Sequence, residues 1–205
     1  MTGYMNSKEI LAKLNELYPN PKCELNYNKD YELLIAVVLS AQCTDRRVNN
    51  VTKELFSKYT LKDLSEIDNK KIEKIIYSLG AYTKKAEYIK QIAKALINDC
   101  NGKVINDRKY LENLSGVGRK TCNVVLGELF NEPSIAVDTH VSRVAYRLEL
   151  TKSKDVLKIE KDLMEIFPKD KWVRVHKQLV LFGRYMCKSI KPECSKCPFQ
   201  CKYKR

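Results

Sequence analysis

Apolar residues recur along this chain three and four positions apart, the spacing that lines one face of an α-helix. Ser7 can cap a first segment whose apolar face carries Ile10, Leu11, Leu14, Leu17 and Tyr18, and Pro19 and Pro21 close it. Residues 31–42 are apolar on nearly every side, as expected of a helix buried at the centre of a bundle. Next, "TDRRVNNVTKELFSKY" sets Val48, Val51, Leu55 and Tyr59 at helical spacing, and "NKKIEKIIYSLG" aligns Ile72, Ile75, Ile76 and Leu79 before Gly80. "KKAEYIKQIAKALINDCNG" repeats the stripe with Ala86, Ile89, Ala93 and Leu96 and ends near Gly102. "DRKYLENL" and "RKTCNVVLGELF" flank a glycine turn, and "DTHVSRVAYRLEL", "SKDVLKIEKDLMEIF" and "DKWVRVHKQLVLFGRYMC" complete the series. No segment alternates apolar and polar residues as a half-buried strand would, and there is no repeat or low-complexity linker. The pattern predicts an all-α fold.

Composition narrows the class. A chain of 205 residues forms one ordinary domain or two small ones, and 44% hydrophobic with 31% charged residues excludes a disordered protein. The longest apolar run, "LLIAVVL" at 33–39, is far short of the roughly 18 residues that span a bilayer. "MTGYMNSKEI" has no basic stretch followed by an apolar one, so no signal peptide is expected. The expected setting is a reducing cytoplasm, where disulfides are rare and membranes are not partners. Thirty-eight Lys and Arg against 25 Asp and Glu give a formal charge of +13, which favours encounter with polyanions and nominates nucleic acid. A lysine-rich solvated surface would give the same sum. Nothing demands an oligomer, so a monomer is expected.

The sharpest local chemistry lies in "LENLSGVGRKTCNVVLGELF". Gly116 and Gly118 permit positive φ around Val117, and successive N–H groups beside the start of a helix at Arg119 make a seat for phosphate. The turn is similar to the "LPGVG(R/K)" helix–hairpin–helix element of DNA repair proteins, with Ser115 in place of proline; such an element grips the backbone without reading sequence. Lys120 follows directly, as a further phosphate contact or, if desolvated among positive charges, as a nucleophile. Asp138 in "SIAVDTHVSRV" could cap a helix or stabilise positive charge on a sugar. Four of the eight cysteines crowd the tail as Cys187, Cys194, Cys197 and Cys201. With no histidine among them they suit an iron–sulfur cubane or tetrahedral zinc equally. Cys23, Cys43, Cys100 and Cys122 are scattered among apolar residues and read as small buried hydrophobes.

Taken together, "ELLIAVVLSAQCTD", "LSGVGRKTCNVV", "IAVDTHVSRV" and the tail cysteines resemble the endonuclease III family from end to end. These enzymes are bifunctional DNA glycosylases and abasic-site lyases acting on oxidised pyrimidines. The resemblance implies the two-lobed helix-hairpin-helix glycosylase fold with a DNA groove between the lobes. One lobe is a six-helix barrel over 22–132, with the hairpin at about 107–130. The other is a helical lobe of 1–21 with 133–205, carrying a [4Fe–4S] cluster loop at 187–201. The partner implied is damaged double-stranded DNA, and the enzyme would be DNA-associated in the cytoplasm.

By the same resemblance Lys120 is the nucleophile and Asp138 its assistant. Gly116, Val117, Gly118 and Arg119 hold the DNA backbone, and Thr121 and His140 line the lesion pocket. Gln42 fills the gap left by a flipped base. Ala81 stands where the family commonly carries a larger apolar wedge, a role Tyr82 could take over. Cys187, Cys194 and Cys197 match the family's C-x6-C-x2-C-x5-C pattern. Cys201 comes two residues early, with Tyr203 at the expected place. A four-residue step reaches up to about 14 Å, so Cys201 can still close the cluster. Lys191 and Lys196 would present that loop to phosphates.

Three rival readings are a monofunctional adenine glycosylase, a thymine-mismatch glycosylase of the same superfamily, and a non-catalytic DNA-binding module with a zinc knuckle. The adenine enzyme lacks the nucleophilic lysine and carries a glutamate near the place of Ala36. In the binding module Lys120 and Asp138 would be a phosphate contact and a cap.

Overall fold

The computed structural model describes residues 6–201, and within them the chain forms eleven α-helices, two short 3-10 turns and no strand. It divides into two compact units. Cys23–Phe130 forms one, and residues up to Lys22 join those from Asn131 onward in the other.

The continuous unit is built around α2 (Asp30–Leu39), in which every residue from Tyr31 to Leu39 is buried. The apolar run predicted helix to residue 42. The helix stops at Leu39, because Gln42 takes a left-handed φ of 59° that no helix continues. Asp30 Oδ2 accepts from the Val104 amide at 2.7 Å and so ties the start of α2 to a distant loop. Thr44 caps α3 (Asp45–Lys58), which buries Val48, Val51 and Leu55. α4 (Leu61–Glu66) carries no apolar period in the sequence, since six residues are too few to show one. Its signal is the Thr60–Asp63 capping box, in which each side chain meets the other's amide.

α5 (Asn69–Ile76) runs into a 3-10 turn, Tyr77–Leu79. α6 (Tyr82–Cys100) begins after Ala81 at φ 46° and ends at Asn101 in the left-handed region, one residue before Gly102. α7 (Arg108–Asn113) and α8 (Arg119–Phe130) complete the unit. Its core joins Leu33–Leu39 to Leu55, Ile72, Ile76, Ile89, Leu96, Leu111 and Val125. Each buried leucine, isoleucine or valine among them contributes ~1.5–3 kcal/mol through burial.

The second unit starts with α1 (Ser7–Leu17). Its cap is Asn6 rather than Ser7: Asn6 Oδ1 accepts from Glu9 N at 3.0 Å, and Glu9 Oε2 accepts from Asn6 N at 3.1 Å. Asn and Ser cap equally well, and the glutamate three residues on selects Asn6. α9 (Thr139–Arg147), α10 (Val156–Ile166), a 3-10 turn at Lys169–Lys171 and α11 (Trp172–Tyr185) follow. Ile10 and Leu14 of α1 pack with Val141, Val144, Leu163, Leu179 and Phe182. Gln178 Nε2 donates to Asn15 Oδ1 and the Tyr18 carbonyl at 2.9 and 3.1 Å, and Lys13 Nζ donates to the Pro198 carbonyl at 2.7 Å. These bonds join the two ends of the chain in one unit.

Of the four scattered cysteines only Cys122 is fully buried, and burial pushes its thiol pKa up. Cys23, Cys43 and Cys100 are half-buried, Cys43 because it lies in the loop after α2 rather than within the helix. No described cysteine is in a disulfide. No described helix is long and apolar enough to cross a membrane.

Candidate nucleic-acid interface

The glycine turn between α7 and α8 uses its two glycines differently. Gly116 has φ 78°, and a Cβ there would lie 2.5 Å from Tyr88 Cδ2, so both backbone and packing demand glycine. Gly118 is not at positive φ, contrary to the reading from sequence. A Cβ there would meet nothing within 4 Å, so this backbone faces open space. Val117 points inward, 5% exposed, and its amide donates to the Leu114 carbonyl at 3.0 Å. Arg119 and Lys120 occupy the exposed first turn of α8, followed by half-buried Thr121. The positive end of the α8 dipole and two cations therefore coincide.

One cavity of this unit is lined by Gln42, Ala81 and Gly116, three residues singled out from separate stretches of sequence. Gln42 and Ala81 are both exposed and both left-handed, at φ 59° and 46°. Such non-glycine conformations cost ~1–3 kcal/mol each and cluster at functional sites. Arg47, Lys84, Lys85 and Tyr88 share the cavity, and no motif in the sequence marks them. Each is a common residue type on a helical pattern, so only the fold distinguishes them. Ala81 ends at Cβ and offers no wedge of its own. Beside it Tyr82 is half-buried against Tyr77, ring centroids 4.7 Å apart, and Tyr77 is 66% exposed.

In the other unit Asp138 is the cap of α9, its Oδ1 accepting from Val141 N at 2.7 Å. It is half-buried, with the Arg143 guanidinium among the charges near it. Arg143 Nη2 donates to the Gly183 carbonyl at 2.7 Å and meets His140 Nδ1 at 3.2 Å, while its Nε donates to the Cys187 carbonyl at 3.0 Å. An arginine only donates, so His140 Nδ1 is the acceptor. Burial holds the Arg143 pKa below its ordinary value. A Cβ on Gly183 would lie 2.8 Å from His140 Cβ, so glycine sets the close passage of α11 past His140.

Cys187, Cys194, Cys197 and Cys201 line one cavity together with Phe182, Met186 and Phe199. Arg147 Nη1 sits 3.4 Å from Cys187 Sγ and donates to the Lys188 carbonyl at 2.8 Å. Among the described residues no three His, Cys, Asp or Glu side chains stand ready as a ligand set for a metal ion. The donor chemistry, thiols alone in an apolar setting, fits a soft metal or an iron–sulfur group and not a hard, oxygen-seeking cation. Lys191, at φ 49°, and Lys196 are exposed on the same loop. Lys188 bonds Glu193 at 2.8 Å and holds its carboxyl pKa below the usual range.

Residues 35–169 match the family model described as HhH-GPD superfamily base excision DNA repair protein. The endonuclease III of Bacillus subtilis is 46% identical over 199 residues, covering 95% of this chain and 91% of the relative. That of Escherichia coli K12 is 43% identical, covering 96% and 94%. Among solved structures, a trapped endonuclease III–DNA covalent intermediate in an estranged-adenine complex superposes with a TM-score of 0.89 at 46% identity, covering 95% of this chain and 93% of the other. A thermostable thymine-DNA glycosylase gives 0.79 at 25% identity, covering 94% and 92%. An all-α fold with a glycine hairpin ahead of a basic helix start defines a helix-hairpin-helix repair protein. The chain belongs to the HhH-GPD superfamily and, within it, to the endonuclease III family.

Proposed function

We propose that Lys120 and Asp138 carry the chemistry of this base excision repair enzyme, a DNA glycosylase and abasic-site lyase that removes oxidised pyrimidines from duplex DNA. The supporting observation is placement: Lys120 stands in the exposed first turn of α8, behind a hairpin that shares one cavity with Gln42 and Ala81. In this reading the Gly116 and Gly118 backbone and Arg119 hold phosphates. Val117 supports the turn from within. Gln42 enters the gap left by the flipped nucleotide, Ala81 faces the opened stack, and Thr121 and His140 meet the extruded base. Flipping costs a few kcal/mol and is cheapest at damaged bases, which favours lesions over intact pairs.

The Lys120 Nζ attacks C1′ of the flipped nucleotide as a neutral amine. The bond from C1′ to the base nitrogen breaks, the base departs with its electron pair and takes up a proton, and Nζ loses one. The C1′–O4′ bond then breaks as O4′ is protonated, and the Nζ lone pair forms the protonated Schiff base to C1′ of the opened sugar. Loss of a C2′ proton then breaks the C3′–O bond and expels the 3′ phosphate, nicking the strand. Water hydrolyses the imine and frees Lys120. Asp138 takes the Lys120 proton or stabilises the positive charge that gathers on the sugar.

Cys187, Cys194, Cys197 and Cys201 would hold a [4Fe–4S] cluster, which when bound supplies a structural clamp for the loop and no part of the excision. The all-sulfur donor set and the shared apolar cavity support this assignment. Lys191 and Lys196 of that loop would rest on DNA phosphates. The enzyme would work as a monomer, DNA-associated in the cytoplasm.

Borohydride reduction in the presence of an abasic duplex tests the reading. The protein should form a covalent complex and Lys120→Ala should form none. Trapping by the Lys120→Ala variant would move the nucleophile elsewhere, and no trapping by the unaltered protein would remove the lyase.

A further inference from the structure

Lysine is almost never fully buried without a partner, yet Lys85 is 6% exposed. Its Nζ donates to the carbonyls of Ala41 and Leu79, both at 3.0 Å, and lies 3.5 Å from Cys43 Sγ. Cys43 Sγ in turn donates to the Leu79 carbonyl at 2.9 Å. Three partners match the three N–H groups of a lysine. They belong to two segments that the sequence keeps far apart. Ala41 and Cys43 flank Gln42, and Leu79 ends the 3-10 turn that leads through Gly80 into Ala81.

Both segments need an external tie. Gln42 and Ala81 are held left-handed without the freedom of glycine, a state that lasts only where the surroundings impose it. The Ala41 carbonyl lies just past the end of α2 and the Leu79 carbonyl at the end of a 3-10 turn, places where backbone acceptors lack helical partners. Lys84, one residue away, is exposed and makes neither contact.

We propose that Lys85 is a positioning residue that clamps the Gln42 loop to the Ala81 turn, so that both meet the duplex at a set spacing when a nucleotide flips out. The inference rests on the reading of Gln42 and Ala81 as DNA-facing residues given above. Because Ala81 has no bulk to prop the stack open, the placement of its backbone carries the task.

The test is Lys85→Met, which keeps the stem and removes the donors. Single-turnover excision from a duplex with a paired oxidised pyrimidine should fall about tenfold or more, because that step includes flipping. Borohydride trapping on a preformed abasic duplex, where the base is already gone, should stay within about twofold. The fluorescence rise of 2-aminopurine beside the lesion should be slowed in parallel with excision. Excision at the unaltered rate, or equal loss of excision and trapping alongside a lowered melting temperature, would overturn the proposal. If Lys85→Met does not fold, Lys85→Leu, which likewise removes every donor, is measured by the same pair of assays against the same outcomes. Failure of the unaltered protein to excise or trap would instead strike the parent reading.

Discussion

Asp138 bonds the Val141 amide at the head of α9 and is also assigned to the sugar. The two tasks separate by substitution. Asparagine caps as well as aspartate but carries no charge, so Asp138→Asn should melt within about 0.5 kcal/mol of the unaltered protein. Its single-turnover excision should fall by roughly 10²-fold or more, the scale of a lost acid–base or charge-stabilising group. Asp138→Ala should lose about 1 kcal/mol of stability as well. Unimpaired excision by Asp138→Asn would reduce the residue to a cap. The hairpin glycines divide in the same way. Gly116→Ala drives a methyl into Tyr88 at a left-handed φ and should cost about 1–3 kcal/mol in thermal melts. Gly118→Ala meets nothing in the protein and should melt normally, yet bind duplex more weakly because the new methyl stands on the open backbone offered to phosphate. The glycine pair was legible in the sequence. Their division of labour was not, since it depends on Tyr88, which lies on another helix.

At the scale of elements, boundaries depended on local chemistry that a periodic pattern blurs. α2 stops short of its apolar run because Gln42 turns left-handed, and α4 shows no period because six residues hold less than two turns. The stretch from Cys187 to Cys201 has no regular structure to show. Its four cysteines alone suit zinc and an iron–sulfur cluster equally, and only the family resemblance favours the cluster. The structure adds that all four thiols line one cavity, Cys201 included despite its early position. Freshly purified protein should contain iron and acid-labile sulfide in equal amounts and absorb in the visible. Cys197→Ala should lose both signals while α9 and α11 keep their helical circular dichroism. A colourless protein with stoichiometric zinc would sink the cluster assignment.

The whole molecule carries a formal charge of +13, and that surplus acts through salt. Each phosphate contact contributes ~0.9 to the slope of log affinity against log salt, so Lys191→Ala with Lys196→Ala should lower it by about 2. At saturating abasic DNA the rate of borohydride trapping should be unchanged, because neither lysine touches the reacting sugar. A slope equal to that of the unaltered protein would mean the cysteine loop does not face DNA.

The sequence by itself determined the helical class, the hairpin with Lys120 behind it, the Asp138 cap position and the thiol set of the tail. All of these are local: a period of 3.6, a pair of glycines, a cap preference and a run of cysteines are complete within a few turns of chain. Only the tertiary structure decided that Gln42, Ala81 and Gly116 share a cavity, and that Lys85, unlike the adjacent Lys84, is buried between two loops. The physical reason is that burial and adjacency are distances between segments remote in sequence. One lysine among many cationic residues carries no local mark of which of them will be enclosed.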